Sequence, residues 1–311
     1  MYREIETFRA VMLTGSATKA AEMLGISQSA VSQKLKIFES DYGIELFRRE
    51  RGRLHATENA HILMTEVEKH FRGIELIEHK MKSLRNRIDI SVHLAAHPVF
   101  GQKLVPKVIA SFVKSSVTQV KFSINGSRDI YETVDSGEFD FGLVANEIYG
   151  NSCVFYSFCT VNAVVVVPKN AIKKSDRMIN LTDMAAHNFI ALNSEDTTRI
   201  ALEKECRNKK INLNVTAETP YCHTVLEIVK AGAGVGIVHP LTLIDISPEE
   251  IDVFNLEEKI TFGTNLIYRK DKTLKDSAKE LIKQLRIQTA RELKEVSTMH
   301  SVDIRTKQFN I

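Results

Sequence analysis

Apolar positions recur at intervals of three and four through the first forty residues, the spacing of one face of an α-helix. Ile5, Phe8, Val11 and Met12 predict a helix over residues 2–13. Ala20, Ala21 and Leu24 predict a short second helix, with Ser16 as its N-cap and Gly25 as a positive-φ stop. Ser27 caps a third, in which Ala30, Val31, Leu35 and Phe38 keep the helical interval. Small Ala20 and Ala21 let two helices cross closely, so the pattern reads as a helix-turn-helix. With its apolar positions turned inward, the third helix presents Gln28, Ser29, Ser32, Gln33 and Lys36 on its outer face. Such amides, hydroxyls and a cation suit base edges and phosphates, and the acids Glu39 and Asp41 fall where the helix has run its length.

After Gly43, "IELFRRERGRLHAT" alternates short apolar and basic runs and predicts a two-stranded wing carrying Arg48, Arg49, Arg51 and Arg53. Thr57 then caps a long helix in which Ala60, Met64, Val67, Phe71, Ile74, Ile77, Met81 and Leu84 form one stripe. At 1.5 Å per residue the stripe runs roughly 40 Å, too far for one small winged domain to cover. Either the chain's own second domain or a partner helix must bury it. A two-fold DNA site read by two recognition helices favours a partner, with Met64, Val67, Phe71, Ile74 and Met81 in the seam.

From residue 88 the period changes. "IDISVHL", "VKFSI" and "FDFGLVA" read as strands separated by helices near 98–114 and 127–136. "NAVVVVP" opens a second set, with strand "FIAL", a helix from about Thr197 to Lys209, strand "LNVTAE", a helix over 223–231 and strand "VGIVHP". A late strand "FGTNLIYR" and a last helix near 273–296 return to the first set. The expected fold class is therefore α/β multidomain: a winged helix-turn-helix over 1–58, a linker helix over 59–87 and a two-lobed α/β domain over 88–311. Lobe I takes about 88–161 and 265–300, and lobe II about 162–264. Ligands of such sheets sit in the crevice at the carboxyl ends of the strands.

Charge sharpens this picture. The net charge is +3, but residues 1–87 hold 15 Lys and Arg against 12 Asp and Glu, whereas residues 88–311 hold 27 of each, so the excess sits at the front. "RRERGR" at 48–53 is a patch able to neutralise phosphates, although a solvated charge run has the same composition. Cys153, Cys159, Cys206 and Cys222 fit no metal or redox spacing and read as reduced, buried thiols. No apolar run approaches the roughly 18 residues of a membrane span, which predicts a cytoplasmic protein without membrane partners. Neither G-x-S-x-G, P-loop nor H-E-x-x-H occurs, and "GAGVG" at 232–236 lacks dinucleotide spacing, so no catalytic residue, cofactor or metal is expected. A solute-binding protein with the same lobes would need an export signal.

Residues 1–60 resemble the N-terminal domain of LysR-type transcriptional regulators, in "FRAV", "GSATKAAEMLGISQSAVSQKLKIFE", Gly43, "LFRR" and Thr57. Ser29 stands where a proline is frequent, and Ala60 where a glycine is common. The resemblance continues to about residue 290 through "AAHPVFGQKLVPKVIASF", "DSGEFDFGLV" and "CHTVLEIVKAGAGVGIVHPLTLID". "RGRLHAT", "HPVF" and "HPLTLID" look most like the branch holding the lysine-biosynthesis activator and the opine-catabolism regulators. The resemblance implies a dimer-forming linker helix, a periplasmic-binding-protein-like effector domain and assembly as a tetramer. It implies double-stranded promoter DNA, a small-molecule effector, further copies of the chain and RNA polymerase as partners. The branch points to an amino acid or an amino-acid derivative as effector. Matched by position, DNA falls to Gln28, Ser29, Ser32, Gln33 and Lys36 with the four wing arginines in support. The effector falls to Ala96, His97, Pro98, Val99, Asn146, Glu147, Asn193, Ser194, Glu195, Tyr221, Cys222, His223 and Thr224. A zwitterion would place its ammonium near Glu147 or Glu195, and His97 and His223 read equally well as structural histidines.

Overall fold

Helices α1 (Tyr2–Thr14), α2 (Ala17–Leu24) and α3 (Gln28–Tyr42) stop and start on local chemistry. The Ser16 side chain accepts from the Lys19 N–H and that of Ser27 from the Ala30 N–H, while Gly25 and Gly43 end their helices at φ of 65° and 63°. Only glycine takes that left-handed geometry without a Cβ penalty. The computed structural model describes residues 2–50, 53–86, 91–116 and 118–308. Two units emerge, Met1–Asp89 and Ile90–Ile311.

In the first unit, Phe8, Ala20, Ala21, Val31, Leu35 and Phe38 close a core between the three helices. A hairpin of β1 (Phe47–Glu50) and β2 (Arg53–Ala56) follows, and then α4 (Glu58–Asn86), whose first turn is capped by Thr57 Oγ1 accepting from the Ala60 N–H at 3.3 Å. Helix α3 is longer than expected. Glu39 and Asp41 lie inside its last turn, and Glu39 Oε1 accepts from the N–H groups of Leu46 and Phe47 at 2.7 and 2.9 Å. One carboxylate thereby ties the end of α3 to the start of the wing.

The α4 stripe also departs from expectation. Ala60, Val67 and Phe71 are buried in the unit's own core, with Met64 and Ile74 packed beside them. Tyr2 stacks on Phe71 with ring centroids 6.0 Å apart, Arg9 lies 4.6 Å above the same ring, and Arg9 Nε pairs with Glu68 at 2.8 Å. The unit's own core therefore takes up the stripe through Ile74, with α1 lying over Phe71. The side chain of Met81 lies outside the described residues.

The second unit contains β3 (Ser91–Ala96), α5 (Pro98–Gly101), α6 (Leu104–Ser115), β4 (Gln119–Ile124), α7 (Ser127–Asp135), β5 (Phe141–Ala145) and β6 (Cys153–Asn162). The chain continues through β7 (Val164–Pro168), β8 (Met178–Ile179), α8 (Leu181–Ala185), β9 (Asn188–Leu192), α9 (Thr197–Lys209), β10 (Asn214–Thr219), α10 (Cys222–Lys230) and β11 (Val235–Val238). It ends with β12 (Ile251–Leu256), β13 (Thr261–Arg269), α11 (Asp276–His300) and β14 (Thr306–Gln308). Lobe I is a sheet of order β14-β6-β13-β5-β3-β4, and lobe II one of order β10-β9-β11-β7-β12-β8. Val164 to Val167 are all fully buried, as a strand covered on both faces must be. The chain crosses between sheets at Ala163 and again between Leu256 and Thr261, so the return strand starts four residues before 265. The two crossings touch where the Ala163 N–H donates to Ile260 O at 2.8 Å.

Glu39→Ala leaves two backbone donors without their acceptor. A loss of about 1–3 kcal/mol from the first unit is expected, read as a lower calorimetric melting temperature, with Glu39→Gln, which keeps an acceptor oxygen, losing less. Equal melting of all three proteins would show that water replaces the carboxylate.

Candidate functional site

Two places gather the residues the sequence singled out. On the first unit, burial of Val31, Leu35 and Phe38 turns the opposite side of α3 outward. Gln28, Ser29, Gln33 and Lys36 are exposed and Ser32 half-exposed. The Gln28 amide donates to Ser32 Oγ at 3.0 Å, and the hydroxyls of Ser27 and Ser29 are 2.9 Å apart. Side chains such as Gln28 and Ser32 that bond to each other on an open helix face can exchange that bond for base or phosphate contacts at little loss. Arg48 projects from the wing with its Nε on Glu45 at 2.8 Å, both groups exposed. The side chains of Arg49 and Arg53, and the whole of Arg51, lie outside the described residues.

The second place is the crevice between the lobes. A cavity of about 30 Å³ is walled by His97, Val99, Phe100, Ala145, Phe262, Gly263 and Thr264 from lobe I and by Leu192, Asp196, Pro220, Cys222 and His239 from lobe II. Ala96 ends β3, fully buried, and His97 follows at the start of α5 with its N–H donating to Leu143 O. Pro98 at the first turn of α5 is buried and Val99 lines the cavity. Tyr221 precedes α10, and its ring meets that of His97 at 6.4 Å. Asn146 closes the crevice at one end, its Oδ1 accepting from Thr197 Oγ1 at 2.8 Å, while Thr198 Oγ1 donates to Thr261 O at 3.2 Å. On the other side, α6 reaches lobe II through Lys103 Nζ, which donates to Ile244 O, and Lys107 Nζ, 3.0 Å from Asp245.

Burial sets the charges here. It pushes the His97 pKa down to about 4, with the neighbouring His223 adding to the effect. It takes His223 to about 4, with help from Lys103, and His239 to about 3, with help from His97 and His223. All three rings are neutral at pH 7. His239 Nδ1 accepts from the Leu241 N–H, so its Nε2 carries the proton, and that atom meets no partner among the described residues. Neither nitrogen of His223 has one, nor does Glu147 Oε2. Glu147 and Asp196 are both held above their usual range, chiefly by burial. Burial also pushes the Cys222 thiol up to about 12, which leaves no thiolate at neutral pH.

Not every candidate is brought in. Asn193, Ser194, Glu195 and Thr224 are exposed, outside the cavity wall. The acid that lines it is Asp196, one residue beyond Glu195, whose Oδ1 also caps α9 by accepting from Thr198 and Arg199 N–H groups. His239 and Phe262 went unremarked because each stands in an apolar run that reads as core, and only the pairing of the two lobes turns them to the crevice.

Comparison with known proteins agrees with this layout. Residues 2–61 match the model of the bacterial regulatory helix-turn-helix proteins of the lysR family, and residues 88–290 match that of the LysR substrate binding domain. The transcriptional activator protein LysR of Escherichia coli is 29% identical over 267 residues, covering 85% of this chain and 86% of that protein. The octopine catabolism/uptake operon regulatory protein OccR of Rhizobium meliloti is 28% identical over 244 residues, covering 78% and 81%. The structure of full-length CbnR complexed with its target DNA superposes with a TM-score of 0.66 at 16% identity, over 94% of this chain and 99% of that one, a likeness of fold. With both halves matched in order, the chain belongs to the LysR family of DNA-binding transcriptional regulators, which carry an effector-binding domain behind a helix-turn-helix.

Proposed function

We propose that this regulator reads promoter DNA with Gln28, Ser29, Ser32, Gln33 and Lys36, supported by Arg48, Arg49, Arg51 and Arg53, and that an amino acid or amino-acid derivative between the lobes sets how it does so. The observation that carries the reading is the outer face of α3, open and free of acids up to Glu39, whose carboxylate is held by the wing. Octopine, in the name of one relative, is an amino-acid conjugate, and Asp196 sharing the cavity wall with neutral His97 and His239, with Glu147 beside Asp196, suits a zwitterion. We read the crevice as a binding site, as the family's effector-binding domain is. A cytoplasmic location fits, since among the described residues no helix is long and apolar enough to cross a membrane.

The mechanism follows from size. A cavity of about 30 Å³ has room for a water or two, whereas pockets for small organic ligands run from roughly 300 Å³ upward. An effector therefore enters only as the lobes part or rotate, and it favours the arrangement it binds more tightly. In an assembly of two dimers, a change in lobe arrangement alters the spacing of the DNA-binding pairs, which helps or hinders RNA polymerase.

Lys36→Ala is expected to weaken binding to every DNA sequence and to flatten the slope of log K against log salt by about 1, whereas Gln33→Ala acts on sequence preference. Gel-shift titrations at several salt concentrations separate the two, and equal losses on operator and random DNA for Gln33→Ala would remove it from base reading. Self-association divides α4. Met81→Asp is expected to give smaller species in sedimentation, while Phe71→Asp, a charge in the core, lowers the melting temperature instead; an intact assembly in Met81→Asp would move the seam elsewhere.

Lysine, arginine and octopine, tested by thermal shift at pH 7, include a ligand that raises the melting temperature of the full chain; stabilisation by neutral sugars alone would refute the zwitterion reading. Without ligand, the histidines bind protons in the unfolded state between pH 6.5 and about 4 but not in the native one, so their stabilisation is present above 6.5 and is lost as pH falls toward 4. The raised carboxyls of Glu147 and Asp196 act in the opposite sense, losing stability as pH rises. With three histidines against two acids, melting at pH 5 is expected below that at pH 7.

A further inference from the structure

Helix α11 and the outer part of β6 and β13 enclose a second, larger groove within lobe I, of about 970 Å³. No residue of it lines the interlobe cavity. Its floor is apolar, from Val154, Tyr268, Leu274, Ile282 and Ile287, and Tyr268 stacks on Tyr156 with centroids 5.9 Å apart. The charged residues around it are all cations: Lys270, Lys272, Lys279, Lys283 and Arg286. Lys279 is paired with exposed Asp276 at 3.0 Å. Arg286 is not paired. Its guanidinium lies 5.1 Å from the centre of the Phe158 ring, and Nε and Nη2 are shut off from solvent with no hydrogen-bond partner among the described residues.

Nε and Nη2 form the edge of a guanidinium that presents two parallel donors, the geometry a carboxylate accepts best. A half-buried cation with that edge unmatched leaves a field that an anion would satisfy. We propose that this groove is a second small-molecule site, which takes an organic carboxylate with an apolar body. The head group meets Arg286 once that side chain turns its Nε and Nη2 edge from its enclosed position into the groove, with Lys283 and Lys270 in the surrounding field, and the body lies along Ile282, Leu274 and Tyr268. The volume fits, since pockets for small organic ligands span roughly 300–1,000 Å³. A bare inorganic anion would leave the apolar floor wet, and a neutral apolar molecule would leave the guanidinium unmatched. The proposal does not rest on the reading of the interlobe crevice.

The test is calorimetric titration of the full chain with octanoate and with octanol, its neutral counterpart. One octanoate per chain is expected, with octanol weaker by about tenfold or more, the loss of a charge-assisted bidentate bond. Arg286→Met is expected to weaken octanoate about tenfold, Arg286→Lys less, because a point charge replaces the fork. Arg286→Met without ligand should melt no lower than the parent, since it removes an unpaired, half-buried charge, and this shows that the variant is folded. Absence of octanoate binding, equal binding of octanol, or octanoate affinity unchanged in Arg286→Met would each overturn the proposal. So would a shift to smaller species in sedimentation of Ile287→Glu, which would make the groove a contact between copies of the chain.

Discussion

Every property of the effector domain depends on the two strands of chain that pass side by side between its lobes. Strand β6 runs into β7 across the single residue Ala163, and the return from β12 to β13 takes only residues 257 to 260. The bond from the Ala163 N–H to Ile260 O joins the two crossings, so lobe I and lobe II cannot slide apart; they can only turn about this line. Several contacts away from that line are of the exchangeable kind. Asn146 to Thr197, Thr198 to Thr261, Lys103 to Ile244 and Lys107 to Asp245 are hydrogen bonds and one exposed ion pair, set beside an apolar contact in which the Phe100 ring meets that of His239 at 5.6 Å. Such links contribute about 1 kcal/mol each in the net, a scale on which a bound ligand can shift the balance.

The first unit shows the same economy in another form. Three helices, none longer than 15 residues, commit their apolar sides to one small core, and α4 is drafted to complete it through Ala60, Val67 and Phe71. The long helix is thus structural at its start, where α1 covers it and Arg9 pins it to Glu68. Any movement passed along α4 reaches α1 directly, and through the shared core it reaches α3.

Much of this was legible in the residues. Caps at Ser16, Ser27 and Thr57 and the stop at Gly25 are local chemistry, and they stand where the sequence places them. Helix α9 spans Thr197–Lys209, as its pattern predicts. Strand β6 was not legible, since "CVFYSFCTVN" neither alternates cleanly nor stays apolar, its burial is mixed, and its pairing with β13 and β14 comes from remote parts of the chain. Strands β12 and β14 were missed because partners remote in sequence make them strands. In the crevice the loops were found and the inward residues were not: whether Glu195 or Asp196 turns in depends on which of them caps α9, a choice sequence alone leaves open. The α4 stripe is expected against a partner, and its first part, to Ile74, packs instead in the unit's own core, because a periodic pattern does not say what lies against it.

The crevice gathers exceptions to a rule that most buried polar atoms keep. Buried polar atoms in folded proteins have partners in the great majority of cases, yet among the described residues neither nitrogen of His223 finds one, nor do His239 Nε2, Thr242 Oγ1 and Glu147 Oε2. Each such group destabilises the closed arrangement relative to one in which water or a ligand reaches it. Glu147 and Asp196 add mutual repulsion when both are ionised, on top of their burial. The closed lobes therefore hold a polar lining in the wrong solvent. Opening relieves that lining by hydration, and closing on a ligand that carries both donors and acceptors relieves it without opening. A regulator needs two arrangements close in free energy, and unmatched groups at the line of closure bring them close.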